Sequence, residues 1–264
     1  CVAAHLRSHV CDTKTLGVML DVLMDDVADG GGTDDMLRSL TRLIAEDSPG
    51  DVSRFSPEAQ RYIGFAGELW SELRRRGRQY PRHDEFAELL NFDYLQLCNV
   101  MRYSHLLNRN LELLNITEHD LYTPHNMHIM ICSSWDLMCS PTFDRAELGK
   151  LREIILNAQW MGRIGNLVTT WQRELRERDF TSGIYARAVS HGHLSVDQLR
   201  ALEPAAIERT LLESGHEEHY LQRWQEHRRF LLSQVGALHS FDVTRLVRAF
   251  ERLLCLHLGS RGNK

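Results

Sequence analysis

Six cysteines (Cys1, Cys11, Cys98, Cys132, Cys139 and Cys255) are scattered through the 264 residues without a C-x-x-C pair. That excludes the commonest zinc spacing, argues against a disulfide framework, and points to a reduced, cytoplasmic chain. No apolar run approaches the roughly 20 residues that cross a bilayer, so no membrane span is expected. Positive charge is not in excess either. A net charge of −5 gives no reason to expect nucleic acid or an anionic membrane as partner. No alternating apolar–polar run bounded by turn pairs argues for a strand. The opening "CVAAHLRSHVCD" lacks both an initiator Met and the layered plan of a signal peptide. Further sequence is therefore expected before residue 1.

Proline is scarce as well, with six residues at 49, 57, 81, 124, 141 and 204, each where helical periodicity pauses. Between them apolar residues recur at intervals of three and four, as in "FDYLQLCNVMRYSHLLNRNLELL" (92–114) and "ELGKLREIILNAQWMGRIGNLVTTWQRELRER" (147–178). Ser56-Pro57-Glu58 has the form of a capping serine followed by a first-turn proline. The spacing predicts helices near 12–29, 34–46, 57–76, 83–114, 118–138, 144–178, 195–213, 216–236 and 241–258. No repeat and no long linker divides them. The expected fold is all-α, a single domain over residues 1–264.

Two groups of oxygen-bearing side chains stand out on this helical background. "LMDDVADGGG" (23–32) gathers Asp25, Asp26 and Asp29 at the C-terminal end of a predicted helix, where the macrodipole disfavours negative charge. Four residues apart, Asp25 and Asp29 would lie about 40° apart on a helix, with Asp26 about 100° from Asp25. Hard cations such as Mg²⁺ take such carboxylates together with water and phosphate oxygens. In "RIGNLVTTWQRE", Asn166, Thr170 and Glu174 follow at intervals of four, so an amide oxygen, a hydroxyl and a carboxylate form one column. Arg163 lies a turn before Asn166 on nearly the same face, and Arg173 precedes Glu174; arginine suits bidentate binding of phosphate. Alone, either group is also explained by a solvated polar face.

In that order, about 140 residues apart on a helical chain, the pair resembles the class I terpene synthases, bacterial type. That family carries a DDxxD motif on one helix and an Asn/Asp-x-x-x-Ser/Thr-x-x-x-Glu triad on another. The resemblance implies an α-helical bundle around an apolar cavity and a prenyl diphosphate substrate bound with three Mg²⁺ ions. It implies that Asp25 and Asp29 hold two ions, that Asn166, Thr170 and Glu174 hold the third, and that Asp26 is a lesser contact. Arg163 and Arg173 would contact diphosphate and, with Asp25, drive its ionisation. Candidate wall residues are Val18, Val22, Phe65, Phe92, Tyr103, Trp135 and Trp160. The sequence departs from the family pattern in several places. Leu167 stands where many members have Asp. The segment "EHDLYTPHNMHIMICSSWDLM", where a diphosphate-sensing arginine is common, has none, leaving His125, Asn126 or His128 as substitutes. "LHLGSRGNK" ends the chain without the usual Arg-Tyr pair, so Arg261 would supply the arginine. Helices before the aspartate-rich motif are also lacking, in keeping with a missing N-terminus.

The implied activity is cyclisation of geranylgeranyl diphosphate in diterpene biosynthesis, with farnesyl diphosphate and a sesquiterpene product as the alternative. A homodimer is the assembly this reading admits. A chain-elongating prenyl diphosphate synthase is disfavoured because no second DDxxD occurs. A non-catalytic helical interaction module would use "ELRRRGR" (72–78) and "EHRRF" (226–230) as solvated or partner-binding faces. The histidine pairs His125/His128, His191/His193 and His216/His219 lack the H-E-x-x-H arrangement of a metal hydrolase.

Overall fold

A computed structural model describes residues 1–261. Twelve α-helices and no strand occur among them: α1 Arg7–Asp26, α2 Asp34–Glu46, α3 Pro57–Gly77, α4 His83–Arg109, α5 Ile116–Tyr122, α6 Ile129–Met138, α7 Leu148–Glu177, α8 Gly183–Ser190, α9 Val196–Ala201, α10 Pro204–Glu213, α11 His216–Ser233 and α12 Val243–Gly259. The all-α expectation holds. Local chemistry explains the boundaries. Ser56 caps α3 by accepting from the Ala59 N–H at 3.2 Å, with Pro57 next in line. Thr33 caps α2, and Ser195 with Gln198 forms a capping box on α9. Buried positions then follow the helical period, as with Ile63, Ala66, Leu69, Trp70 and Leu73 along α3.

The bounds differ from the periodicity in several places: α1 begins at Arg7 and not near 12, and α4 ends at Arg109 and not at 114. The segment expected as one helix over 118–138 breaks at His128, whose φ of 58° lies in the left-handed region. The one expected over 195–213 breaks before Pro204, because the ring removes a backbone donor. Helix α8 was not expected, since its eight residues are too few for the pattern to stand out.

The chain forms two compact units. One comprises Cys1–His105 and His128–Leu148; the other comprises Leu106–Met127 and Gly149–Lys264. In the first, α1 and α2 pack on α3, and α1 packs on α6. Its core includes Leu20, Met24, Leu40, Leu73, Tyr94 and Trp135. In the second, α5 packs on α8, and α11 packs on α8, α10 and α12. Trp171, Tyr185, Tyr220 and Leu175 are buried there.

Close packing at the start of α8 requires Gly183. A Cβ at this position would stand 2.5 Å from His119 Cε1 and run into the Tyr220 hydroxyl. Gly183→Ala is therefore expected to destabilise the protein by about 2 kcal/mol through overpacking. Gly64→Ala, with open space around it on exposed α3 surface, is expected to stabilise by up to about 1 kcal/mol through helix propensity. Urea unfolding of the two variants checks the opposite signs.

Candidate metal sites

The aspartate-rich motif belongs to the first unit and straddles a change of helix type. Asp25 and Asp26 close α1, but Asp29 lies in a π-helical turn, Val27–Gly31. Helical geometry breaks inside this turn at Gly30, whose backbone is extended (φ 168°). The 40° relation between Asp25 and Asp29 expected for a continuous α-helix therefore does not apply. Gly32 ends this turn at close quarters: a Cβ there would lie 3.1 Å from Val27 Cβ and 3.2 Å from its carbonyl oxygen. The turn is clamped from α4 by His105, whose Nδ1 is 3.1 Å from the Ala28 carbonyl and whose Nε2 is 2.5 Å from Asp34 Oδ1.

Asp25 and Asp29 are half-buried and Asp26 is exposed. Asp26 lines a cavity of about 600 Å³ together with Val27, Thr33, Arg54, Phe55 and Tyr62. The Tyr62 hydroxyl donates to the Leu23 carbonyl at 2.7 Å, and burial followed by the Asp26 charge pushes its pKa up to about 12. One carboxylate escaped the sequence reading. Asp21, a turn before Asp25, is buried beside His128, with Oδ2 3.7 Å from Nδ1. Burial, then the Asp25 charge, raises the Asp21 pKa well above its usual value, while burial lowers His128 to about 3. Desolvation works against the charged form of both side chains. The four-residue spacing to Asp25 was the available signal. His128 is thus a neutral core histidine and not an exposed diphosphate contact.

The second motif lies in the other unit, along the 30-residue helix α7. Thr170 and Glu174 are buried and Asn166 is half-buried. The Thr170 hydroxyl is 2.6 Å from Glu174 Oε1 and 3.0 Å from the Asn166 carbonyl. Arg163, also buried, donates from Nη1 to Asn166 Oδ1 at 3.1 Å and from Nη2 to the Thr181 carbonyl at 3.4 Å. Two buried polar atoms of this group have no hydrogen-bond partner: Glu174 Oε2 and Arg163 Nε.

Burial first, then repulsion from Asp179, pushes the Glu174 pKa up to about 7, against the pull of Arg163. Asp179 was not singled out by the sequence. Its carboxylate is already engaged, accepting from Asn108 Nδ2 at 2.9 Å, from the Thr181 N–H at 3.0 Å and from the Thr181 hydroxyl at 3.1 Å. It closes the end of α7 and charges the ground beside Glu174. Among the described residues no three His, Cys, Asp or Glu side chains are positioned to hold a metal. The α7 column instead offers one carboxylate with a hydroxyl and an amide oxygen. The unpaired Oε2 of this buried carboxyl is the atom of the column left open to a proton or a cation.

The remaining candidates divide. Arg173 is exposed, with Nε 3.7 Å from Glu177. Arg261 is paired with Glu217, which accepts from Trp171 Nε1 at 2.5 Å and so brings the arginine beside α7. Val18, Val22, Phe65 and Phe92 stand exposed, whereas Tyr103 and Trp135 are buried. Trp135 packs edge-on to Tyr80, with ring centroids 6.0 Å apart. Trp160 is half-buried. His227 stacks on it at 5.8 Å, and the Arg223 guanidinium lies 4.5 Å from its ring centroid. Among the described residues no helix is long and apolar enough to cross a membrane. No protein-family model, no curated protein and no solved structure matches the chain.

Proposed function

We propose that the protein is a Mg²⁺-dependent class I terpene cyclase that ionises a linear prenyl diphosphate, geranylgeranyl diphosphate in the first instance, and cyclises the resulting cation. The observation that carries this reading is the α7 column, in which Asn166, Thr170 and Glu174 adjoin a buried arginine and leave a carboxylate oxygen unpaired. The aspartate-rich segment of the first unit is read as a further metal-binding element on the strength of its sequence pattern alone.

Mg²⁺, when bound, supplies Lewis-acid neutralisation of the diphosphate leaving group. Asn166, Thr170 and Glu174 would hold an ion in the second unit, and Asp25 and Asp29 would hold ions in the first. Arg163 binds a diphosphate oxygen through its fixed fork of N–H donors. Arg261, on its Glu217 tether, adds a second positive charge, and the exposed Arg173 contributes at longer range. Diphosphate departure leaves an allylic cation that water would quench, so the exposed apolar side chains Val18, Val22, Phe65 and Phe92 serve as substrate-covered walls.

The same exposed apolar residues suit a helical interaction module, and one experiment separates the readings. The chain is incubated with Mg²⁺ and, in turn, geranyl, farnesyl and geranylgeranyl diphosphate, and the extracts are examined by gas chromatography and mass spectrometry. A cyclic diterpene from geranylgeranyl diphosphate is the expected product. Turnover of farnesyl diphosphate alone overturns the substrate assignment. A longer linear diphosphate formed with isopentenyl diphosphate identifies an elongating synthase, and no product from any substrate leaves the interaction module.

A further inference from the structure

Outside both motifs, the second unit gathers histidines from two segments separated in sequence. His191 and His193 flank Gly192 just beyond α8, and His216 opens α11 directly after Gly215. Both glycines sit at positive φ, 71° and 66°, where a side chain would be strained, and the two tight turns bring the imidazoles together. The His193 and His216 ring centroids are 5.0 Å apart, with His193 Nδ1 3.1 Å from His216 Nε2. The His191 ring lies 6.3 Å from that of His193 and 6.4 Å from that of His216.

The nitrogen chemistry is informative. A separation of 3.1 Å fits one hydrogen bond, and it is also close to the edge of a tetrahedral site, where nitrogens about 2.05 Å from one ion stand about 3.3 Å apart. His191 Nδ1 lies 3.0 Å from the Arg187 carbonyl, which fixes the proton there and leaves the Nε2 lone pair outward. His216 is buried, and its Nδ1 has no partner.

We propose that His191, His193 and His216 form a binding site for one transition-metal ion of the Zn²⁺ class, which pins the end of α8 to the start of α11. As they stand, only two of the three rings lie at ligand spacing. Closing the third side takes a rotation of the exposed His191 ring that gives up its contact with the Arg187 carbonyl. Three neutral imidazoles select a borderline cation such as Zn²⁺ and not the hard Mg²⁺ of the carboxylate motifs. The charges around the cluster are mixed. Carbonyls at the end of α8 favour a cation, while Arg187 and the N-terminus of α11 oppose it, with Glu217 and Glu218 in the first turn of α11 on the favourable side.

The test is Zn²⁺ binding to the full chain, free of any affinity tag and stripped with chelator, measured by calorimetry and by metal analysis after dialysis. One ion per chain is expected, with a rise in melting temperature. His191→Gln and His193→Gln, both at exposed positions, should each weaken binding by more than about tenfold and abolish the thermal gain. Co²⁺ in place of Zn²⁺ should give the visible absorption of a four-coordinate nitrogen site. No bound Zn²⁺ overturns the proposal. So does binding that survives both substitutions, or binding that is lost only on alkylation of Cys1, Cys11 or Cys255.

Discussion

Glu174→Gln is expected to stabilise the metal-free protein at pH 8 by about 3 kcal/mol while removing its turnover. In the folded chain the Glu174 carboxyl titrates near 7, against an ordinary 4.5. Below pH 4.5 it is neutral folded and unfolded, and the substitution changes little. Between 4.5 and about 7 the unfolded chain loses its proton first, so stability drains from the wild type as pH rises. Above 7 the full cost is present. Gln removes that cost and still offers an oxygen to the Thr170 hydroxyl. At about 2–4 °C per kcal/mol for a chain of this size, the melting temperature should rise by several degrees. Added Mg²⁺ should close the gap, because the ion stabilises only the wild-type carboxylate. Thermal melts of both proteins at pH 5 and pH 8, with and without Mg²⁺, check the sign. A variant less stable than wild type at pH 8 would show that Glu174 serves the fold.

Asp25→Ala is expected to lower Mg²⁺-dependent turnover by about 10³-fold or more, the scale of losing a principal electrostatic contact in the transition state. Asp21→Asn is the control. Burial raises the Asp21 pKa well above its usual value beside His128, so an amide of the same shape should leave turnover within about threefold of wild type. Equal losses in Asp21→Asn and Asp25→Ala would mean that the end of α1 responds to any change and that Asp25 has no ligand role. The Glu174 carboxylate stands where the fold is worse for its charge, and such local conflicts concentrate at functional sites.

Helix periodicity made the fold class legible, and capping residues such as Ser56, Thr33 and Ser195 placed several helix starts. The α7 column was legible for the same reason, because spacing of four along an uninterrupted helix fixes which side chains align. Asp29 was not legible to that degree, since a π-helical turn changes the angle per residue without any proline to announce it. Nor was the environment of Glu174. Its shift arises from burial and from Asp179, whose carboxylate is held by Asn108 from a distant segment, and no local pattern encodes that meeting. The break at His128 was hidden because a histidine at positive φ gives no compositional signal, unlike the glycines that shape the turns around His191 and His216.

Release of inorganic diphosphate from geranylgeranyl diphosphate, followed on the full chain with and without Mg²⁺, bears most directly on the central claim. Release should require Mg²⁺, stop on addition of EDTA and resume when Mg²⁺ is restored in excess. Absence of release from geranylgeranyl, farnesyl and geranyl diphosphates alike, in saturating Mg²⁺ or Mn²⁺, would contradict it.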